Sequence, residues 1–340
     1  MLDALPEHRR DEAREALTAA FGLKRVERLH PVAGGASGAL TYRVEAGGRA
    51  YLMRLEPPRD VMRDPDRGYA CMRIAAEAGV APPVRHLDPG SRIAIMDFIE
   101  ARPLAEFPGG PAALARAQGE LIARLQRTQV FPPLMDYPDL LAGMLDYLRT
   151  CGRYRPELFA PHAEALARIR EAYPWDAAAL VSSHNDPNPG NFIFDGTRLW
   201  LVDWETAFRN DPLADVAILA DNPAVPPAAG EALVEAWLGR APDRALLARL
   251  TLMRLMTRLY YGALMLSVGA AAHDPQDDLT ALTPAELQAA AAEGRLKVGP
   301  LETLVVVGKT TLARFLSGLA EPGVDEALAI ARSDSPRAAL

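Results

Sequence analysis

The sequence predicts an α+β chain with a small antiparallel β lobe over residues 1–100 and a large, mostly helical lobe over residues 101–340. Three observations carry this. Between residues 26 and 99, short segments rich in Val, Tyr and Leu are separated by Gly and Pro turns. After Arg102-Pro103 apolar residues recur at helical spacing. A β and loop stretch over residues 180–202 then interrupts the helices. With 340 residues, the chain is long enough for two lobes, each with its own core, and a cleft between them.

Residues 6–21 place Ala13, Leu17, Ala20 and Phe21 near helical spacing, which predicts an amphipathic first helix. Strands follow at 26–32, 40–46 and 49–56, with Gly47-Gly48 as a two-residue hairpin signal between the last two. Residues 67–78 read as a helix stopped by Gly79 and Pro82. Strands at 84–87 and 92–99 flank the turn Asp88-Pro89-Gly90. In the second lobe helices are expected at 111–129, 138–151, 161–172, 213–221, 228–239, 243–270, 284–293, 302–318 and 323–332. No internal repeat is present.

Composition excludes several classes. Lys plus Arg is 37 against 44 Asp plus Glu, a net charge of −7, so nothing general attracts a nucleic-acid backbone. Hydrophobic residues at 49% and charged residues at 24% exclude wholesale disorder. The two cysteines, Cys71 and Cys151, form no CxxC pair and read as buried thiols rather than as a disulfide or zinc framework. The charged N-terminal segment has no apolar signal region. The longest uncharged run, 259–272, is short of the ~20 residues that span a bilayer. We therefore expect a soluble, cytoplasmic protein with no nucleic-acid or membrane partner. Lysine occurs only at 24, 297 and 309, so no residue between Arg25 and Leu296 can be a catalytic lysine.

The stretch most telling about chemistry is Ser183-His184-Asn185-Asp186-Pro187-Asn188-Pro189-Gly190-Asn191-Phe192, followed by Leu199-Trp200-Leu201-Val202-Asp203-Trp204-Glu205. An Asp, an Asn five residues later and an Asp at the end of an apolar strand suit phosphoryl transfer. A hydroxyl nucleophile needs a carboxylate near its proton, which Asp186 supplies. Magnesium prefers hard oxygen ligands, and Asn191 and Asp203 offer an amide oxygen and a carboxylate. Two other readings stand beside this one: a polar turn before a strand, or a metal hydrolase ligated by His184 and Asp186. The ordered combination disfavours the first, and the lack of further ligands disfavours the second. His184 suits a hydrogen-bonded loop organiser better than a proton carrier.

These residues resemble the aminoglycoside phosphotransferase and choline kinase superfamily, which has the two-lobed protein-kinase-like fold. The matching motifs are His184-Asn185-Asp186 with Asn191, then Val202-Asp203-Trp204-Glu205, then Asn210-Asp211-Pro212-Leu213-Ala214-Asp215. Residues 32–40 and 50–55 of the first lobe also fit. The resemblance implies ATP and Mg²⁺ as cofactors, Asp186 as catalytic base, Asn191 and Asp203 as metal ligands and Asp215 as a brace of the catalytic loop. Gly34, Gly35, Ser37 and Gly38 form the implied nucleotide loop, whose glycines let backbone approach phosphates. Met96 and Phe98 lie in the connector whose backbone would meet adenine.

The sequence departs from the wider kinase pattern at two points. Arg54 stands where protein kinases place a strand lysine, as in choline kinases, and it preserves the charge. The next helix should carry a Glu to pair with that base. The position falls near Gly68 or Tyr69, and neither is acidic; Glu77, Asp64 and Asp66 are poor substitutes. Gly308-Lys309-Thr310 mimics the end of a P-loop but lacks the earlier glycine, Thr303 standing in its place.

The expected acceptor is a small-molecule hydroxyl, with an amino alcohol such as choline or ethanolamine first, because the Trp204-Glu205 pair is typical of those kinases. Aminoglycosides, other sugars and amino acids are the alternative, and a catalytically weak nucleotide-binding regulator is a further one. Glu205, Trp204 and Tyr261 are the candidate substrate residues, since aromatic faces and carboxylates hold ammonium groups. Trp237 and Tyr260 share that reading with ordinary helix packing. Arg254 and Arg258 fit either an anion site or a solvated face.

Overall fold

The fold is that of a computed structural model, which describes residues 2–22, 26–32, 38–222, 225–270, 276–296 and 301–334. Short apolar segments and Gly turns build a five-stranded antiparallel sheet. Helix α1 (Arg10–Phe21) leads into β1 (Val26–Pro31), β2 (Leu40–Ala46) and β3 (Arg49–Leu55). Gly47 and Gly48 close the β2–β3 hairpin with φ of 58° and 73°, values that a two-residue hairpin turn requires and glycine meets without strain. Helix α2 (Pro65–Glu77) follows, with Asp64 as its N-cap. Strands β4 (Val84–Asp88) and β5 (Ile93–Asp97) complete the sheet in the order β1-β2-β3-β5-β4. Alternating inward residues Tyr42, Val44, Ala46, Tyr51, Met53 and Leu55 pack with Ala13, Ala16 and Leu17 of α1.

The chain continues through α3 (Gly110–Gln126), α4 (Tyr137–Thr150) and α5 (Ala160–Ala172). Three-residue strands then form two ribbons: β6 (Val181–Ser183) with β9 (Phe208–Asn210), and β7 (Phe192–Phe194) with β8 (Leu199–Leu201). Helices α6 (Leu213–Ala220), α7 (Pro227–Leu238), α8 (Arg244–Gly269), α9 (Pro284–Ala292), α10 (Leu301–Leu319) and α11 (Val324–Asp334) complete the described chain. Two compact units result. One holds Met1–Leu134 and Leu180–Arg240; the other holds Met135–Ala179 and Ala241–Leu340.

In the first unit α3 lies closely on α7. A Cβ on Gly119 would stand 2.4 Å from the carbonyl oxygen of Leu233. In the second unit α8 and α10 meet the same way, with Gly262 against Leu312 and Gly269 against Val305. Gly308-Lys309-Thr310 lies inside α10, where Gly308 faces Leu266 and the carbonyl of Gly262. That glycine serves helix packing, as the missing P-loop pattern implied. Among the described residues no single helix is long and apolar enough to cross a membrane. Both cysteines are free thiols; Cys71 is buried and Cys151 is half-buried.

Candidate active site

The site is built on the β6–β9 ribbon of the first unit. Immediately after β6 the chain turns at Asn185, whose φ of 63° is a left-handed conformation that Asn tolerates better than most residues. Asp215, in the first turn of α6 and 0% exposed, holds this turn. Its Oδ2 accepts from the His184 N–H at 2.9 Å and its Oδ1 from the Asn185 N–H at 2.8 Å. Burial pushes the Asp215 carboxyl above its ordinary pKa, while His184 and the donors around it pull the other way. The Asn185 side chain donates to the carbonyls of Ser183, Thr206 and Phe208 and accepts from Asn210 Nδ2 at 2.7 Å. It thereby joins the loop to the segment after Asp203.

His184 is also buried, and its Nε2 lies 2.9 Å from the carbonyl oxygen of Val202. A carbonyl only accepts, so Nε2 carries the proton. The imidazole therefore fastens the residue before Asp203 to the loop. The Asn191 carbonyl accepts from the Val202 N–H at 3.0 Å, a second tie at the same residue.

Asp186 and Asn191 meet directly. Asn191 Nδ2 donates to the Asp186 carbonyl at 2.8 Å and to Asp186 Oδ2 at 3.1 Å. Asn188 Nδ2 donates to both Asp186 carboxylate oxygens at 3.0 Å. Its own Oδ1 caps the Pro189–Asn191 turn by accepting from the Gly190 N–H at 2.9 Å. Two amides thus orient the carboxylate. The sequence reading assigns Asn188 no part, although an Asn two residues after an Asp and just before Pro-Gly is a recognisable turn signal.

Asp203 follows β8 with φ 72° and ψ 72°, a left-handed conformation that turns its side chain out of the strand's alternation. Its Oδ1 is buried and forms an ion pair with Arg54 Nη1 at 3.0 Å. Arg54 also donates through Nε to Glu56 Oε1 at 3.0 Å. Burial opposes the charge of Arg54, but Asp203 and Glu56 outweigh it and hold its pKa above the ordinary value. The helix carboxylate absent from α2 is thus replaced by two carboxylates from elsewhere. Glu205 stands near the same arginine. Burial, and then the neighbouring Asp203, pushes its pKa up to about 7, and its Oε2 is buried without a hydrogen-bond partner. Arg54, Glu56, Tyr69, Asp203 and Glu205 line a cavity of ≈ 30 Å³.

These donors suit magnesium. Asn191 spends its N–H groups on Asp186, which leaves its amide oxygen as the atom that could ligate, and Asp203 presents a carboxylate whose Oδ1 meets Arg54. Both are hard oxygen donors of the kind that share magnesium with waters and phosphates rather than enclosing it. No group of three His, Cys, Asp or Glu that could hold a metal is found among the described residues.

The expected nucleotide elements are only partly described. Gly34, Gly35 and Ser37 lie outside the described residues, and Gly38 has a φ of 73°. Met96 is buried in β5, between β3 and β4. The Phe98 N–H donates to the Ala50 carbonyl at 3.2 Å, and its ring lies under Arg43. That N–H is therefore committed within the sheet edge, and any backbone contact of Phe98 with adenine would fall to its carbonyl. The N–H groups of residues 99–101 have no backbone partner among the described residues.

The expected aromatic substrate cage is not what the first unit builds. Trp204 is 2% exposed, its ring packed edge-on against His184 at 4.7 Å and Phe131 at 6.0 Å. A ring so enclosed offers no face to a cation, so Trp204 is a core residue of the segment after Asp203. Trp237 donates to Gln126 Oε1 at 2.8 Å. Tyr260 is buried between Tyr137 and Tyr261 in the second unit, where Tyr261 is half-buried. There Arg258 donates to the Arg314 carbonyl and is mostly buried rather than solvated.

With this geometry in hand, comparison with known proteins is decisive for the family. The family model of the phosphotransferase enzyme family matches residues 28–249. The chain belongs to that family. It is similar in fold to a choline/ethanolamine kinase family protein from Mesorhizobium loti, with TM-score 0.67, 22% identity, 96% of this chain and 99% of that one covered. The choline kinase LicA from Streptococcus pneumoniae gives TM-score 0.63 at 13% identity, covering 92% and 99%. A spectinomycin phosphotransferase solved with ADP and spectinomycin gives 0.57 at 12%, covering 89% and 98%. No curated protein matches the chain in sequence. The fold is therefore kinase-like, α+β, and the class is phosphotransferase.

Proposed function

We propose that the protein transfers a phosphoryl group from ATP, with Mg²⁺, to a hydroxyl of a small molecule, with an amino alcohol of the choline or ethanolamine type as acceptor. The observation that carries this reading is the Asp186 carboxylate, oriented by Asn188 and Asn191 within one hydrogen-bonded loop that also carries Val202 and hence Asp203. In this reading Asp186 accepts the proton of the attacking hydroxyl at its carboxylate, which raises the oxygen's nucleophilicity as the bond to phosphorus forms. Asn191 and Asp203 hold magnesium, which when bound screens the phosphate charge. Arg54, held by Glu56 and Asp203, would supply a fixed positive charge to the phosphates. Asp215 and His184 keep the two halves of the site in register.

The amino-alcohol assignment rests on Trp204-Glu205 and on the likeness to choline and ethanolamine kinases. The burial of Trp204 shifts the weight to Glu205 as the carboxylate facing an ammonium. The acceptor and the cytoplasmic location are parts of this proposal. The test is ADP release from Mg·ATP with choline, ethanolamine, aminoglycosides, homoserine and simple sugars as acceptors, using Asp186→Asn as the blank. Choline- or ethanolamine-dependent turnover lost in the variant supports the reading. Turnover with aminoglycosides alone moves the acceptor class, and acceptor-dependent turnover surviving in the variant refutes the role of Asp186.

A further inference from the structure

Strand β3 runs into Glu56, and alternate residues of a strand share a face. Glu56 consequently emerges beside Arg54, and the pair closes at 3.0 Å with the two side chains 14% and 13% exposed. The bond uses Nε, one edge of the planar guanidinium. Nη1 faces the other way, to Asp203.

Helix α2 offers Arg54 no carboxylate. Arg67, 6% exposed, is turned to the carbonyls of Glu205 and Ala207 and to those of Val61 and Met62. Gly68 has no side chain, and a Cβ there would already stand 3.5 Å from the carbonyl oxygen of Trp204. Tyr69, 5% exposed, fills the next place with its hydroxyl buried and without a hydrogen-bond partner. Asp66 pairs with Arg59 at 2.7 Å. The helix is anchored through the Arg67 side chain to the backbone of residues 205–207 instead.

We infer that Glu56 is the positioning carboxylate of Arg54: by fixing the Nε edge it sets the guanidinium plane, and so the place of the arginine's charge beside Asp203 where Mg·ATP would bind. A guanidinium is a rigid fork, so fixing one edge sets the direction of the others. Arg54 already meets Asp203, the proposed magnesium ligand, at 3.0 Å; without the Glu56 charge Asp203 becomes its main carboxylate partner, and the arginine competes more strongly with the metal for it. The inference rests on the phosphotransferase reading and adds to it a residue that does not touch the reacting atoms.

The test is calorimetric binding of Mg·ATP to the full chain without acceptor, together with thermal unfolding, for wild type, Glu56→Gln and Glu56→Asp. Loss of one charge-assisted bond predicts about a tenfold rise in Kd for Glu56→Gln and a higher Mg²⁺ concentration at half-saturation. Glu56→Asp, whose carboxylate is withdrawn by one methylene, should lose about threefold. In turnover the KM for ATP should rise more than kcat falls. A folded Glu56→Gln that binds Mg·ATP with wild-type affinity overturns the inference and leaves the phosphotransferase reading standing. If Glu56→Gln does not fold, wild-type affinity in Glu56→Asp overturns it equally. A wild-type chain that binds no Mg·ATP refutes the phosphotransferase reading itself, before any variant is compared.

Discussion

Replacing Asp215 by Asn exchanges one oxygen for an NH₂ group at nearly the same volume, yet it should weaken both stability and turnover. Asp215 is 0% exposed, and its two oxygens accept from consecutive backbone N–H groups at 2.9 and 2.8 Å. An amide has one acceptor oxygen, so its NH₂ must face one of those N–H groups. One charge-assisted bond of about 1.5–3 kcal/mol is lost and one buried donor is left unpaired. Removing a buried charge offsets part of this, leaving about 2 kcal/mol. For a body of this size that lowers Tm by roughly 4–8 °C. The repulsion falls on His184 and Asn185, directly before Asp186, and displacing a catalytic group by about 1 Å costs on the order of 100-fold in rate. Thermal unfolding followed by circular dichroism, with acceptor-dependent ADP release below the transition, reads both effects. Wild-type kcat in a variant of lowered Tm would refute the coupling of Asp215 to the catalytic loop. Wild-type Tm would refute the energetic argument itself.

Other outcomes follow from the same geometry. Asp186→Asn should lower turnover by about 10²–10⁴-fold with Mg·ATP binding retained, read by steady-state kinetics and calorimetry. Cys71 is fully buried, with its thiol pushed up to about 12 by burial, whereas Cys151 is half-buried. A thiol reagent should therefore titrate one cysteine in the native chain and two after denaturation. Gly119→Ala should destabilise the first unit by more than the roughly 1–3 kcal/mol of ordinary overpacking, because the clash is with a backbone carbonyl. His162 is buried against Phe315, and burial pushes its pKa below 6.5. The unfolded chain then binds that proton more readily, so stability is lost as pH falls below about 6.5. His162→Phe should flatten that part of the stability–pH curve, measured by urea unfolding between pH 8 and 5.

The fold is legible wherever one physical signal dominates. The β2–β3 hairpin is set by alternation and two glycines with positive φ, and the long helices by apolar residues at helical spacing. What sequence cannot supply is the direction of a side chain leaving an irregular backbone. Trp204 reads as a cage wall because aromatic residues beside a carboxylate suit a cation. The left-handed turn at Asp203 sends that ring into the core instead. The loop glycines and serine at 34, 35 and 37 lie outside the described residues, so their reading stays with the sequence alone.

The partner of Arg54 shows why part of the site stays hidden in the sequence. The kinase pattern directs attention to the next helix, at a separation of about fifteen residues, where Gly68 and Tyr69 stand. The carboxylate lies two residues away, at Glu56, where strand alternation places it on the same face. The sequence carries that signal as Arg-Leu-Glu at a strand end. It escapes a reading that ties the role to a position rather than to the requirement behind it. That requirement is a buried positive charge with a fixed plane, and any carboxylate on the same face can meet it. On α2, Gly68 and Arg67 instead bring the helix against the backbone of residues 204–207. The position that lacks an acid is thus the one at which α2 lies against the backbone of residue 204.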